Sequence, residues 1–266
     1  MALKRNEKKK DIAAFNYCIG FIDILAQRKA LEGQGLLPQF ASDDERKAFL
    51  QTIRNTIGVI RGLQKHADTM VRAMLKARKN SPFRKALPPE LHAEWDEMQR
   101  TKVTTQRWSD GIVHFVSLGD TAIKCPLNGV FTILATAGSL CFLGLGLGRP
   151  VRGAVDIAWG VELNKGELYG AAVARAYELE SEYAQYPRIV IGPRVVEYLQ
   201  VQLANPGEDR YSHFNRSLAQ VCLGLLAPDA DGLPILHYLG EGFINFVSRG
   251  QHQDLYARSL IPFPIH

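Results

Sequence analysis

The sequence predicts an α+β fold, a mixed β-sheet carrying helices on one side, and three observations support that prediction. Residues 15–25 read FNYCIGFIDIL, an apolar run rich in β-branched and aromatic side chains that suits a strand buried on both faces. Two more strand-like runs, Val103 to Trp108 and Ile112 to Ser117, are separated by Ser109-Asp110-Gly111, a turn composition that specifies a tight hairpin. Beyond them, strand and helix patterns alternate instead of segregating, which calls for one sheet with packed helices. A chain of 266 residues with 46% hydrophobic content can bury a sizeable core. It reads as one domain over residues 1–266, with a core at about 14–200, a helical insertion at about 42–100 and a C-terminal extension at about 205–266.

The elements follow in order. After the first strand and a glycine-containing loop, Ser42-Asp43-Asp44-Glu45 has the composition of a helix N-cap with an acidic first turn. Leu50, Ile53, Ile57, Ile60 and Leu63 continue at helical spacing, so a long helix runs toward Leu75. Pro82, Pro88 and Pro89 end it, and a short helix over residues 90–100 leads into the hairpin, whose tip holds Asp110. From Cys125 to Gly148 there is no charged residue. That length suits a membrane span, but Pro126, Asn128, Thr132, Thr136, Ser139 and several glycines make it a buried core helix and predict no membrane insertion. Gly144, Gly146 and Gly148 follow a helix pattern and lack dinucleotide-loop spacing, so they read as a helix C-terminus.

A strand over Val151 to Val161 comes next, then a turn at Asn164-Lys165-Gly166 and a short strand at Glu167 to Tyr169. Ala171 to Tyr183 is helical by composition, Arg188 to Ile191 a strand that Pro193 ends, Val195 to Leu203 a helix, Pro234 to Leu239 a strand and Phe243 to Leu255 a last helix.

The formal net charge of +5 suits anionic ligands without separating a nucleotide from a nucleic acid or a membrane. The basic residues at positions 4–10 and between Arg61 and Lys85 read as a tail and a solvated helix face, which gives no stable nucleic-acid partner. Cys18, Cys125, Cys141 and Cys222 are far apart in apolar surroundings and read as buried thiols. With no signal-peptide pattern at the N-terminus, a reducing cytoplasmic location is expected. The seven histidines are scattered, no GxSxG elbow marks a nucleophile, and the three tryptophans read as packing anchors, Trp108 being the one that neighbours Asp110.

Asp23 is the anomaly. A carboxylate inside an apolar strand costs several kcal/mol unless it is paired or bound to a cation. Asp110, at a hairpin tip flanked by strands, is placed to reach the same point above the sheet. Two carboxylates are the minimum set for Mg²⁺ or Mn²⁺, whose remaining ligands come from water and substrate phosphates. The pair alone fits polymerases, nucleases and phosphatases equally well.

The surrounding residues narrow this. FIDIL, RWSDGIVHF, RGAVDIAWGVE, ELYGAAVARAYELES and YPRIVIGPRVV, in this order from about Asn16 to Val196, resemble the class III nucleotidyl cyclase catalytic domain. Within it the chain is most similar to the pyrimidine cyclases of bacterial Pycsar anti-phage defence. The resemblance implies a class III cyclase fold, a ferredoxin-like βαββαβ mixed sheet with flanking helices and a helical insertion. It also implies a homodimer with active sites at the interface.

By the same resemblance, Asp23 and Asp110 hold two divalent ions, with the Ile24 carbonyl as a further ligand. The loop Ile24, Leu25, Ala26, Gln27 turns backbone N–H groups toward the substrate phosphates. Gln106, with Arg107 beside it, and Glu167, with Tyr169 close by, read the base. An asparagine and an arginine of the family are replaced here by Ala174 and Glu178, and Arg175, Arg152 and Arg188 are candidates for the missing cationic role, Arg175 first. The activity so implied is conversion of UTP to 3′,5′-cyclic UMP, a second messenger acting on a separate effector protein. Cytidylate cyclase is the near alternative, and a catalytically inactive binding module the more distant one.

Overall fold

The structure, a computed structural model, describes residues 13–25, 38–75, 85, 88–108 and 111–248. The elements in chain order are β1 (Ala14–Ile24), α1 (Asp43–Leu75), α2 (His92–Met98), β2 (Thr104–Trp108), β3 (Gly111–Ser117), α3 (Leu127–Gly146), β4 (Val151–Asn164), β5 (Glu167–Tyr169), α4 (Ala171–Glu178), β6 (Ile189–Ile191), α5 (Pro193–Leu203), α6 (Arg210–Gly224), β7 (Leu226–Pro228), β8 (Pro234–Leu236) and α7 (Glu241–Ser248). Among the described residues the strands form one sheet in the order β2-β3-β1-β4-β6-β8-β7, with β5 added to the far half of β4. β6 runs parallel to β4 while the other pairings are antiparallel, so the sheet is mixed as expected.

Strand alternation assigns β1 to two cores. Cys18, Ile22 and Ile24 face the large core, built with Leu63 and Ala67 of α1, Ile133, Leu134 and Leu140 of α3, and residues of α5 and α6. Tyr17, Ile19 and Phe21 face the other way, onto Val113, Phe115 and Ala158, and are roofed by Ala172 and Ala176 of α4. The expectation of helices on one side is thus corrected: α4 crosses the second face, because the chain must pass over the sheet to bring β6 parallel to β4. It covers that face only in part.

Local chemistry explains the boundaries. Ser42 Oγ accepts from the Glu45 amide at 3.2 Å, while Glu45 Oε2 accepts from the Ala41 amide at 2.9 Å, a reciprocal cap at the start of α1. The small residues of α3 let it lie close to its neighbours: a Cβ on Gly129 would meet Val116 at 2.5 Å, and one on Gly138 would overlap Phe243. α3 is long and apolar enough to cross a bilayer, yet 83% of its apolar window is buried inside the protein, so it is a core helix. It ends at Gly148, φ +63°, where the Gly148 and Arg149 amides close onto Leu145 O at 3.0 Å and Gly144 O at 2.8 Å.

Some boundaries differ from expectation. The helix after β5 is α-helical only to Glu178 and continues as one π-turn, Leu179–Tyr183. Pro193 does not simply stop a strand but opens α5, where its missing N–H costs nothing. Helix α6 and strand β7 are additional to the predicted elements. Asp209 caps α6 by accepting from the Tyr211 and Ser212 amides. All four cysteines are buried free thiols. Trp159, expected as a packing anchor, is 51% exposed, and Trp108 38%.

Candidate functional site

Asp23 lies at the end of β1 on the half-covered face, opposite Arg152 of β4 in the antiparallel register. Directly opposed residues of antiparallel strands share a face, so Arg152 points to the same side. Its Nη2 is 3.9 Å from Asp23 Oδ2 and its Nε 2.5 Å from Glu180 Oε1, while Nη1 donates to Ala184 O at 3.4 Å. Glu180 belongs to the π-turn and is almost fully buried. The wider turn carries Glu180 over the sheet edge, the kind of placement for which π-turns recur at functional sites.

These groups line a cleft of about 390 Å³ with Phe21, Trp108, Gly111, Tyr177 and Ser181. Phe21 packs edge-to-face against Trp108 at 5.8 Å and Tyr177 at 5.7 Å, which gives the cleft an aromatic wall beside its charges. Such a mixture, one rigid apolar side and a few convergent charges, suits a small polar ligand with a flat moiety.

A second charged pair sits farther along the same face. Asp156 of β4 is wholly buried, and its Oδ2 accepts from Arg175 Nε at 2.9 Å. Asp156 opposes Ile19 where Arg152 opposes Asp23. Four residues of strand therefore separate the pairs, about 13 Å.

The other expected site residues fall into three groups. Asp110, Ala26 and Gln27 lie outside the described residues. Gln106, Glu167 and Tyr169 are brought to one region: the hairpin of β4 and β5 closes over β2, so that Gln106 Oε1 accepts from the Leu168 amide at 3.4 Å. Glu167 accepts from Asn164 Nδ2 at 2.6 Å, and Tyr169 is 64% exposed. Two expectations are corrected. Arg107 does not stand beside Gln106: adjacent strand residues point to opposite faces, and Arg107 turns to α1, where Nη2 bonds Asp68 Oδ2 at 2.5 Å. Leu25 does not offer its N–H to a ligand, because that group donates to Pro150 O at 3.0 Å. Ile24 remains in the ladder, paired with Val151.

Arg188 is likewise withdrawn from the cleft. It is 4% exposed, donates from Nη1 to Asp229 and from Nη2 to Asp231 at 2.7 Å each, bonds Tyr183 O at 2.6 Å and stacks over Tyr186. Its bond to Asp229, together with one from Tyr186, pulls the Asp229 carboxyl down to about 2, the tyrosine contributing most.

For a divalent cation, the described part of the cleft supplies the hard oxygens of Asp23, and among the described residues no three His, Cys, Asp or Glu side chains gather as a metal-ligating group. Asp23 fits such an ion in donor type and access, its side chain being 25% exposed.

No family model matches the sequence, and no curated protein matches it. A solved structure similar in overall shape is the monomeric guanylyl cyclase domain of the RhoGC fusion protein from the aquatic fungus Blastocladiella emersonii, at TM-score 0.42 and 10% identity over 72% of this chain and 89% of that one. At this distance the chemistry has to come from the chain's own residues.

Three groups escaped the sequence reading: Glu180, Asp156 and the Phe21–Tyr177 contact. Asp156 had a signal, since it breaks the apolar strand RGAVDIAWG as Asp23 breaks FIDIL. Glu180 had none, because a π-turn is invisible to helical periodicity.

Proposed function

We propose that this protein is a nucleotidyl cyclase acting on a pyrimidine nucleoside triphosphate, converting UTP to 3′,5′-cyclic UMP and pyrophosphate. The observation that carries the proposal is Asp23 beside Arg152 in an aromatic-walled cleft on a half-open sheet face. The sequence resemblance to class III cyclases adds the reaction type, and to Pycsar cyclases the pyrimidine and the anti-phage signalling role.

In the reaction the ribose 3′-oxygen forms a bond to the α-phosphorus in line, the bond from that phosphorus to the pyrophosphate oxygen breaks, and the 3′-hydroxyl proton is lost to solvent. Asp23 and the Ile24 carbonyl, with Asp110, would hold two Mn²⁺ or Mg²⁺ ions, which when bound neutralise the triphosphate and acidify the 3′-hydroxyl. Arg152 offers charge-assisted hydrogen bonds to polyphosphate oxygens next to Asp23, and Glu180 forms an ion pair with its inner nitrogen. Gln106, its oxygen engaged by Leu168, has an amide NH₂ to donate to a pyrimidine carbonyl, and Glu167 accepts from the N3–H of uracil or the amino group of cytosine.

Arg175 lies too far along the face to touch the phosphate that Asp23 and Arg152 would hold in the same chain. The resemblance to class III cyclases is the reason to propose a homodimer with interfacial sites, in which Arg175 of one copy would serve the phosphate held by the other. Ala174 and Glu178 favour a second reading, a binding module that no longer turns over.

Incubation of the purified protein with each of the four ribonucleoside triphosphates and Mn²⁺, followed by chromatography, separates these readings. Cyclic UMP is expected. Cyclic CMP would move the substrate to CTP, a purine product would sink the pyrimidine assignment, and no cyclic product would leave the binding module.

A further inference from the structure

Asp156 is a wholly buried carboxylate in the middle of a strand, a position too costly to occupy without a partner. Among the described residues its Oδ1 has no hydrogen-bond partner and its Oδ2 is bonded to Arg175 Nε. Gly192 leaves room for it: a Cβ there would overlap the Asp156 carboxyl group. A guanidinium can meet a carboxylate through its outer fork, in two parallel bonds. Here the inner nitrogen is taken instead. The Arg175 side chain is 36% exposed, and among the described residues no partner is recorded for its two outer nitrogens, which carry four N–H donors.

Of the other arginines of the region, Arg188 is committed to Asp229 and Asp231 and Arg107 to Asp68 on the opposite face, and Arg152 stands at Asp23, four strand residues away. We infer that Asp156 is a positioning residue that grips Arg175 by its inner nitrogen and presents the outer two, already oriented, to the phosphoryl group of a nucleotide bound against the open face. A donor fixed before the reaction begins needs no reorganisation as charge grows on the phosphoryl oxygens, and that is where such a donor gains its effect. The inference rests on the nucleotidyl cyclase reading for its substrate and on the pair's geometry for its residues.

The test compares wild type, Asp156→Asn, Arg175→Lys, Arg175→Gln and Asp156→Asn/Arg175→Gln. It uses the triphosphate that the wild type turns over, with calorimetric binding of Mn²⁺-tripolyphosphate as a second readout. Asp156→Asn should lower kcat about tenfold or more with KM changed less than about threefold, because the lost donor acts mainly on developing charge. The double variant should be no worse than Arg175→Gln alone, since Asp156 acts through Arg175. A folded Asp156→Asn protein with wild-type kcat, or effects that multiply in the double variant, would overturn the inference.

Should Asp156→Asn not fold, Arg175→Lys decides. The single ammonium is drawn to Asp156 and has no outer pair of nitrogens to present, so wild-type kcat in that variant would also overturn it. If the wild type cyclises no triphosphate, the proposed reaction fails separately. The binding readout then stands alone: affinity about threefold or more weaker in both Asp156→Asn and Arg175→Lys supports the inference, and equal affinity, or no binding by wild type, refutes it.

Discussion

Two arginines of this protein are each bracketed by two carboxylates, and they do opposite things. Arg188 has its outer fork spent: both outer nitrogens are at 2.7 Å from aspartates of the loop after β7, a backbone oxygen is at 2.6 Å, and Tyr186 covers its face. Arg152 is held hard on one side only, at 2.5 Å by Glu180, and stands 3.9 Å from Asp23 at the mouth of an open cleft. The Arg188 cluster ties the loop between β7 and β8 to the segment that leads into β6. The loose one leaves charge for a ligand to complete. An arginine among carboxylates is therefore not in itself a sign of a site; unspent hydrogen-bonding capacity beside accessible volume is.

Substitutions in the two clusters should have opposite effects. Asp23→Asn should remove turnover by about a thousandfold or more while thermal unfolding stays within a few degrees of wild type, because the cleft loses its hard-oxygen ligand and not its packing. Activity near wild type would move the site elsewhere. Arg188→Leu should do the reverse. Calorimetry should show the unfolding midpoint lowered by about 5–10 °C, as two facing carboxylates lose their common partner, with turnover per folded molecule within about threefold of wild type.

His114 sharpens the contrast, as a buried titratable group with no carboxylate partner at all in the described structure: its Nδ1 meets Thr105 Oγ1 at 3.0 Å and its Nε2 is unbonded. Burial, opposed weakly by Asp68, lowers its pKa from 6.5 to about 4. The unfolded chain thus takes up a proton that the folded one refuses. The stability this histidine contributes is complete above pH 6.5 and drains away as pH falls toward 4, by about 2 kcal/mol between pH 7 and pH 5. Denaturant titrations at those two values should show the loss in wild type and a smaller one in His114→Phe. The Arg188 cluster should persist through that range, since the depressed Asp229 gives up its share only as pH falls from 3.8 through about 2. The smallest effect is expected of Arg107→Gln. It breaks an exposed pair with Asp68 worth about 1 kcal/mol or less, and it should leave the UTP-to-CTP preference unchanged within about twofold. A change in base preference would return Arg107 to the site.

Much of the fold was legible because its signals are local. The run around Asp23 is a strand since its residues are β-branched and apolar, α1 begins at Ser42 since serine and Glu45 can satisfy each other's neighbourhood, and Gly148 ends α3 since the closing turn needs a positive φ. Asp23 was legible on the same terms, a charge where the pattern forbids one. Misplaced residues were those whose direction depends on a partner strand or helix. Arg107 was credited to the wrong face, Leu25 was given an N–H that Pro150 already holds, and the π-turn bearing Glu180 has no periodic signature.

For this protein, then, composition and periodicity determined that Asp23 sits in a buried strand and needs a partner. Tertiary structure decided that Arg152 stands opposite it, that Arg188 is spent on Asp229 and Asp231, and that Arg175 is held from below by Asp156. The physical reason is that the cost of burying a charge is carried by the residue itself, whereas the group that offsets it is supplied by whichever element the register and the crossover bring alongside.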